Sequence, residues 1–146
     1  MQQITIRSMK QPTKETLEKD IEWFCESLGL LGERDKQKTG LKVFKAVLNE
    51  VNRDNEISAE DIANKIKMSR TAVMYHLNMM LEAGMLRRDG CMFELRTINL
   101  QKLVDEIERD IERTFHLIRE IAEDIDKSMK LPVRNTKNYQ AKPINC

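Results

Sequence analysis

The sequence predicts a mainly α fold carrying one small β-hairpin, on three observations. Apolar residues recur every three or four positions over most of the chain, the spacing of one buried helix face. An Asp89-Gly90 pair stands between two short β-compatible runs, and the stretch from Asn99 to Leu131 holds neither glycine nor proline. A chain of 146 residues that is 40% apolar is long enough to bury one core with an appendage, and two independent domains are not expected.

Taken in order, residues 1–40 form an N-terminal extension. Ile4 and Ile6 alternate with polar neighbours, a faint strand pattern, and from Thr13 the residues Leu17, Ile21, Phe24, Leu28 and Leu31 line one helical face. Gly29 and Gly32 interrupt it, and the polar run to Gly40 reads as a link. A second helix is expected from about Leu41 to Asn52, burying Leu41, Phe44, Val47, Leu48 and Val51, with residues 53–56 as its exit turn.

The most informative stretch is Ile57 to Arg96. Ser58 followed by Asp61 has the spacing of a capping box and starts a short helix that buries Ile62, Ala63 and Ile66. Lys67 and Met68 form a tight turn. Ser69 then caps a third helix that buries Val73, Leu77, Met80 and Leu81, and Gly84 ends it in the left-handed conformation that residues with a Cβ resist. Two helices joined by so short a turn are a helix-turn-helix. Met85 to Arg88, Asp89-Gly90 and Cys91 to Arg96 follow as a hairpin, expected to turn on Asp89-Gly90 because both central residues of a type I′ turn need positive φ. A hairpin directly behind a helix-turn-helix is a wing, so residues 41–98 are expected to form a winged helix-turn-helix domain.

Asn99 can cap a last helix, residues 99–131, about 48 Å long at a rise of about 1.5 Å per residue. Val104, Ile111, Ile118 and Ile125 are spaced by seven, with Leu100, Ile107 and Ile121 filling the intermediate seam and Thr114 and Ser128 interrupting it. That heptad pattern predicts a coiled-coil-like dimerisation helix, with Leu100, Val104, Ile107, Ile111, Ile118, Ile121 and Ile125 as the interface between two copies. Phe115, Leu117 and Met129 widen the stripe. Residues 132–146, with Arg134, Lys137 and Lys142 and no acid, read as a flexible basic tail.

The run Ser69-Arg70-Thr71-Ala72-Val73-Met74-Tyr75-His76-Leu77, then Met80, Leu81, Ala83-Gly84-Met85-Leu86 and the Arg87-Arg88-Asp89-Gly90 wing, resembles the winged helix-turn-helix regulators of the ArsR-like class found in archaea and bacteria. The resemblance covers roughly Leu41 to Arg96. It implies a transcriptional regulator that binds operator DNA sequence-specifically as a homodimer. Metal-sensing members of the class carry paired cysteines on the helix before the recognition helix. Ser58 to Lys67 holds none, so no metal is expected by that route.

Duplex DNA would be touched first by the exposed face of the third helix, because the major groove admits one α-helix. At 100° per residue Thr71, Tyr75 and Asn78 lie opposite the buried Val73, Leu77 and Met80, with Ser69, Arg70 and Met74 near the helix start. Asn78 suits adenine, Arg70 guanine or a phosphate, the Thr71 methyl a thymine methyl, and Tyr75 a phosphate. Lys65, Lys67, Arg87, Arg88 and Arg96 would flank the groove and neutralise phosphates, with the wing on the backbone or in the minor groove. Two such helices in a dimer call for a pseudo-palindromic operator with half-sites about one helical turn apart.

Other classes find less support. The sequence holds no Gly-rich phosphate loop, no nucleophile elbow, no HExxH and only two histidines, so neither an enzyme nor a cofactor is expected. Cys25, Cys91 and Cys146 are far apart and odd in number, arguing against a disulfide framework or a zinc site. His76 reads as a packed histidine, His116 as a surface one and Cys25 as a small core residue, while Cys91 beside the wing turn is a candidate redox switch. No run of about 18 apolar residues occurs, which points to a cytoplasmic protein without a membrane partner. Net charge is only +1, and Ile57 to Arg96 also nets +1, so charge alone does not require nucleic acid. A winged helix docking onto another protein of the transcription machinery, with little direct DNA reading, stays open, since Met74, Tyr75 and Met79 would suit it. No effector or sensing pocket is legible.

Overall fold

The structure is a computed structural model that describes residues 2–11, 13, 16–32, 35–53 and 55–133. The expected basic tail, apart from Pro132 and Val133, lies outside the described residues. Among the described residues five helices and three short strands follow one another as α1 (Leu17–Ser27), α2 (Thr39–Val51), β1 (Ile57–Ser58), α3 (Ala59–Ile66), α4 (Arg70–Glu82), β2 (Leu86–Asp89), β3 (Met92–Leu95) and α5 (Leu100–Met129). This is the mainly α architecture with a hairpin, an extra N-terminal helix and a long C-terminal helix that the periodicities imply. The chain divides into two compact units, Met1–Glu108 and Arg109–Cys146, so the division falls inside α5.

Each helix starts where a side chain can take up free backbone N–H groups. Thr16, Ser58, Ser69 and Asn99 accept from the N–H of Lys19, Asp61, Ala72 and Lys102 at 3.2, 3.1, 3.1 and 2.8 Å. The first helix therefore begins at Leu17, not Thr13, and Leu17 is 76% exposed and leaves the expected stripe. Helix α2 begins at Thr39, two residues before Leu41. The Asp35 carboxylate accepts from the N–H of both Thr39 and Gly40 at 2.9 Å and extends the helix backwards into the expected link. Gly40 is required there, since a Cβ would stand 2.8 Å from the Leu30 carbonyl oxygen and 3.0 Å from Nδ1 of His76.

The end of α4 is a Schellman turn: Gly84, at φ +81°, donates to the Leu81 carbonyl at 3.0 Å and Met85 to that of Met80 at 2.9 Å. Among the described residues 2–11 there is no strand, correcting the alternation at Ile4 and Ile6. Their backbone instead serves carbonyls at helix ends, Gln3 N–H donating to Glu82 at 2.9 Å and Arg7 N–H to Ser27 at 2.8 Å.

The sheet has order β1-β3-β2 and is antiparallel throughout. Asp89 pairs with Met92, so the hairpin turns on Gly90-Cys91 and not on Asp89-Gly90. Of these two residues Gly90 alone has positive φ, +59°, as in a type II′ turn, which takes glycine first. Strand β1 pairs Ile57 with Phe93 and was not expected at all.

The core of the first unit is built from Val43, Phe44 and Val47 of α2, Ile62 of α3, Val73, Leu77 and Met80 of α4, Met85, Phe93 of β3 and Leu103 of α5. Phe24 stacks on Phe44 at 5.8 Å, joining α1 to it. Burying each such side chain contributes about 1.5–3 kcal/mol. Leu48, Val51, Ile66 and Leu81, expected inside, are half-buried.

Candidate nucleic-acid interface

The turn between α3 and α4 depends on one residue in an unusual conformation. Lys67 lies at φ 56°, ψ 47°, the left-handed region, and its N–H donates to the Ala63 carbonyl, as does that of Met68 at 3.1 Å. Three residues, 67–69, thus separate the two helices. Ser69 then fixes the start of α4, its hydroxyl occupied as a cap. Buried Val73, Leu77 and Met80 anchor the inner side of α4 and leave the outer side to solvent.

On that outer side Thr71, Tyr75 and Asn78 are all exposed, Tyr75 at 63%. Arg70 is exposed beside them and Met74 is half-buried. Thr71 and Asn78, expected to meet base edges, and Tyr75, expected to meet a phosphate, therefore share one open helical face. Met79 is half-buried and lines a small surface pocket with Gln3, Thr5, Leu28 and Glu82.

The basic residues differ more among themselves than their sequence positions suggest. Lys65 Nζ lies 2.8 Å from the Glu50 carboxylate, and that bond holds Glu50 below the usual carboxylate range. Arg70 Nε donates to Glu60 at 2.5 Å. Arg87 lies 3.9 Å from Glu94 across the hairpin. Arg88 curls over the wing, donating to the Gly90 carbonyl at 2.8 Å with its guanidinium 5.2 Å from the Phe93 ring.

Arg96 is drawn inward. It is 25% exposed at its side chain, donates to the Gly84 carbonyl at 3.2 Å and meets Glu106 at 3.3 Å, and so ties the base of the wing to the first turns of α5. Its guanidinium is used within the fold. Among the described residues Lys67 makes no ion pair or side-chain hydrogen bond, which leaves its charge available.

His76 is packed inside, as the sequence suggests, beneath the edge of Tyr75 and with Nε2 4.0 Å from Asp35. Burial pushes its pKa down, opposed by the Asp35 charge. Burial also pushes the Cys25 thiol up to about 12, so it stays protonated and unreactive at neutral pH. Cys91 is exposed at the wing tip, one position along the turn from Gly90. Among the described residues no group of three His, Cys, Asp or Glu is placed to hold a metal, and no helix is long and apolar enough to cross a membrane.

The heptad seam is not uniform. Ile107 is 4% exposed within its own chain, and Leu103 beside it is fully buried, so Ile107 packs in the core of the first unit. Leu100 and Ile111 are half-buried, and Val104 is exposed. In the second unit Ile118, Ile121 and Ile125 are exposed, together with Phe115, Leu117 and Met129. His116 is at the surface, 3.1 Å from Glu120.

Glu50, Glu60 and Asp35 had no part in the sequence-based site. Each acts on a residue 10 or more positions away or on a backbone N–H, and local spacing carries no signal of that.

Residues 45–87 match the family model described as winged helix-turn-helix DNA-binding. The matched stretch runs from α2 through α3 and α4 into β2, under a third of the chain, and it contains the turn at Lys67 and the face of Thr71, Tyr75 and Asn78. A winged helix-turn-helix domain is therefore present, and a general DNA-binding regulatory role follows from it. Neither a curated protein nor a solved structure matched the chain.

Proposed function

We propose that this chain is a sequence-specific DNA-binding transcriptional regulator of ArsR-like type that acts in the cytoplasm as a homodimer on a pseudo-palindromic operator. One observation carries the reading: Thr71, Tyr75 and Asn78 stand exposed together on the outer face of α4, whose inner face is locked into the core. A rigid rod with polar side chains on one side suits the major groove, where a carboxamide pairs bidentately with adenine and a methyl group meets thymine. Arg87 and Arg88 on the hairpin and Lys67 at the turn supply positive charge on either side of that rod, for phosphates.

Pairing is assigned to the exposed stripe of Ile118, Ile121 and Ile125, widened by Phe115, Leu117 and Met129. Exposed apolar residues at heptad spacing favour a second helix of the same kind. Two recognition helices would then address half-sites about 34–36 Å apart.

Fluorescence anisotropy with a labelled duplex pool at rising salt tests the reading. Affinity that falls steeply with ionic strength, through counterion release, supports it. Binding of no duplex at low salt, or an affinity indifferent to salt, would return the fold to a protein-docking role.

A further inference from the structure

Arg70 is the first residue of α4, directly behind the cap Ser69, the position from which a recognition helix reaches base edges. Its Nε donates to Oε1 of Glu60 at 2.5 Å, and among the described residues its two terminal amino groups have no hydrogen-bond partner. Glu60 sits in the first turn of α3, and its own backbone N–H, followed by Arg70, holds its carboxyl below the usual carboxylate range, so it is charged at neutral pH.

A guanidinium is planar and carries five N–H donors in a rigid fork. Fastening Nε therefore sets both the plane and the direction of the outer edge. That edge matches the O6 and N7 acceptors of guanine, which an arginine contacts bidentately in the major groove. On and behind the hairpin the arginines are held in other ways: Arg96 is drawn inward to Gly84 and Glu106, Arg88 folds back onto Gly90, and Arg87 Nε lies 3.9 Å from Glu94, beyond hydrogen-bond reach. Pairing with Glu60 also cancels much of the long-range pull of Arg70 on phosphates and leaves the directional contact as its distinguishing capacity.

We infer that Glu60 is a specificity-determining positioning residue, which holds Arg70 so that its terminal amino groups read a guanine at the edge of the site addressed by α4. This rests on the DNA-reading role proposed above. Glu60 and Arg70 are both more than half exposed at their side chains, and an ion pair of that kind adds little to folding. Variants at either position should keep the fold.

The test uses the full chain. A preferred duplex is selected from a random pool with the unaltered protein, each base pair is then changed in turn, and competition binding is measured for the unaltered chain, Arg70→Ala, Glu60→Ala and Glu60→Gln. Arg70→Ala should lose a preference for guanine of about tenfold at one position. Glu60→Ala should lose most of that same preference while binding random duplex more tightly, because a negative charge has left the surface. Glu60→Gln keeps an oxygen that can accept from Nε, so it should retain most of the preference and share the gain on random duplex.

Loss of preference to the same extent in Glu60→Ala and Glu60→Gln, or in neither, overturns the positioning role. So does an Arg70→Ala profile identical to that of the unaltered chain. If the unaltered chain selects no sequence at all, the DNA-reading role fails and this inference fails with it.

Discussion

Replacing Lys67 separates the stability of the helix-turn-helix from its contact with DNA, because one residue carries both a backbone strain and a charge. At φ 56° and ψ 47° an L-residue costs about 1–2 kcal/mol relative to the right-handed helical region. Glycine removes that cost but gives back about 0.5–1 kcal/mol through the freedom it adds to the unfolded chain. Lys67→Gly should therefore stabilise the domain by about 0.5–1 kcal/mol, a rise in Tm of roughly 2–5 °C for a unit of this size. Lys67→Ala keeps the strain and should leave Tm unchanged or slightly lower.

Both variants remove the charge, so both should flatten the slope of log affinity against log salt by about one. Thermal melts followed by circular dichroism, beside salt titrations of duplex binding, give the two readings. Equal Tm values for the glycine and alanine variants would refute the strain argument. An unaltered salt slope in both would take Lys67 out of the interface.

Other outcomes follow from the same geometry. Asn78→Ala removes an exposed carboxamide from the reading face and should reduce discrimination at one base pair by about 1–3 kcal/mol without changing Tm, measured by competition across single-base variants of a selected site. Ile118→Asp with Ile125→Asp places charge on the exposed stripe of α5 and should give a monomer by light scattering; a dimer that survives both moves the pairing surface elsewhere. His76 has a folded pKa below its ordinary 6.5, so the unfolded chain binds the proton more readily and the neutral ring favours folding. That contribution is complete above pH 6.5 and is lost as pH falls from there through the folded pKa. Urea midpoints should drop between pH 7.5 and pH 5.5, and His76→Gln should remove part of the drop.

How much of this was legible in the sequence depended on whether a signal was local. Helix α4 was read within a residue at both ends, since Ser69 and Gly84 act on their own neighbours. The hairpin was found, but its turn was displaced. Pairing Leu86 with Phe93 or with Leu95 puts the same side chains inside, because a shift of two residues preserves the faces, so alternation could not choose between the registers. Strand β1 is two residues long, too short to alternate, and its Ser58 was already accounted for as a cap. The heptads on α5 were real as a periodicity. Periodicity does not say what fills a seam, and Ile107 with Leu103 turned out to be covered by the chain's own core. The ion pairs Arg70–Glu60 and Lys65–Glu50 join residues on different helices, which only the packing of α2, α3 and α4 brings together.

The outer face of α4 is expected to meet duplex DNA. Backbone amide shifts of the labelled chain, recorded as a selected duplex is added, test it most directly. The account requires the largest changes at Thr71, Tyr75 and Asn78, with smaller ones at Lys67 and on the hairpin at Arg87 and Arg88. Changes confined to other elements, with those three amides unmoved, would contradict it.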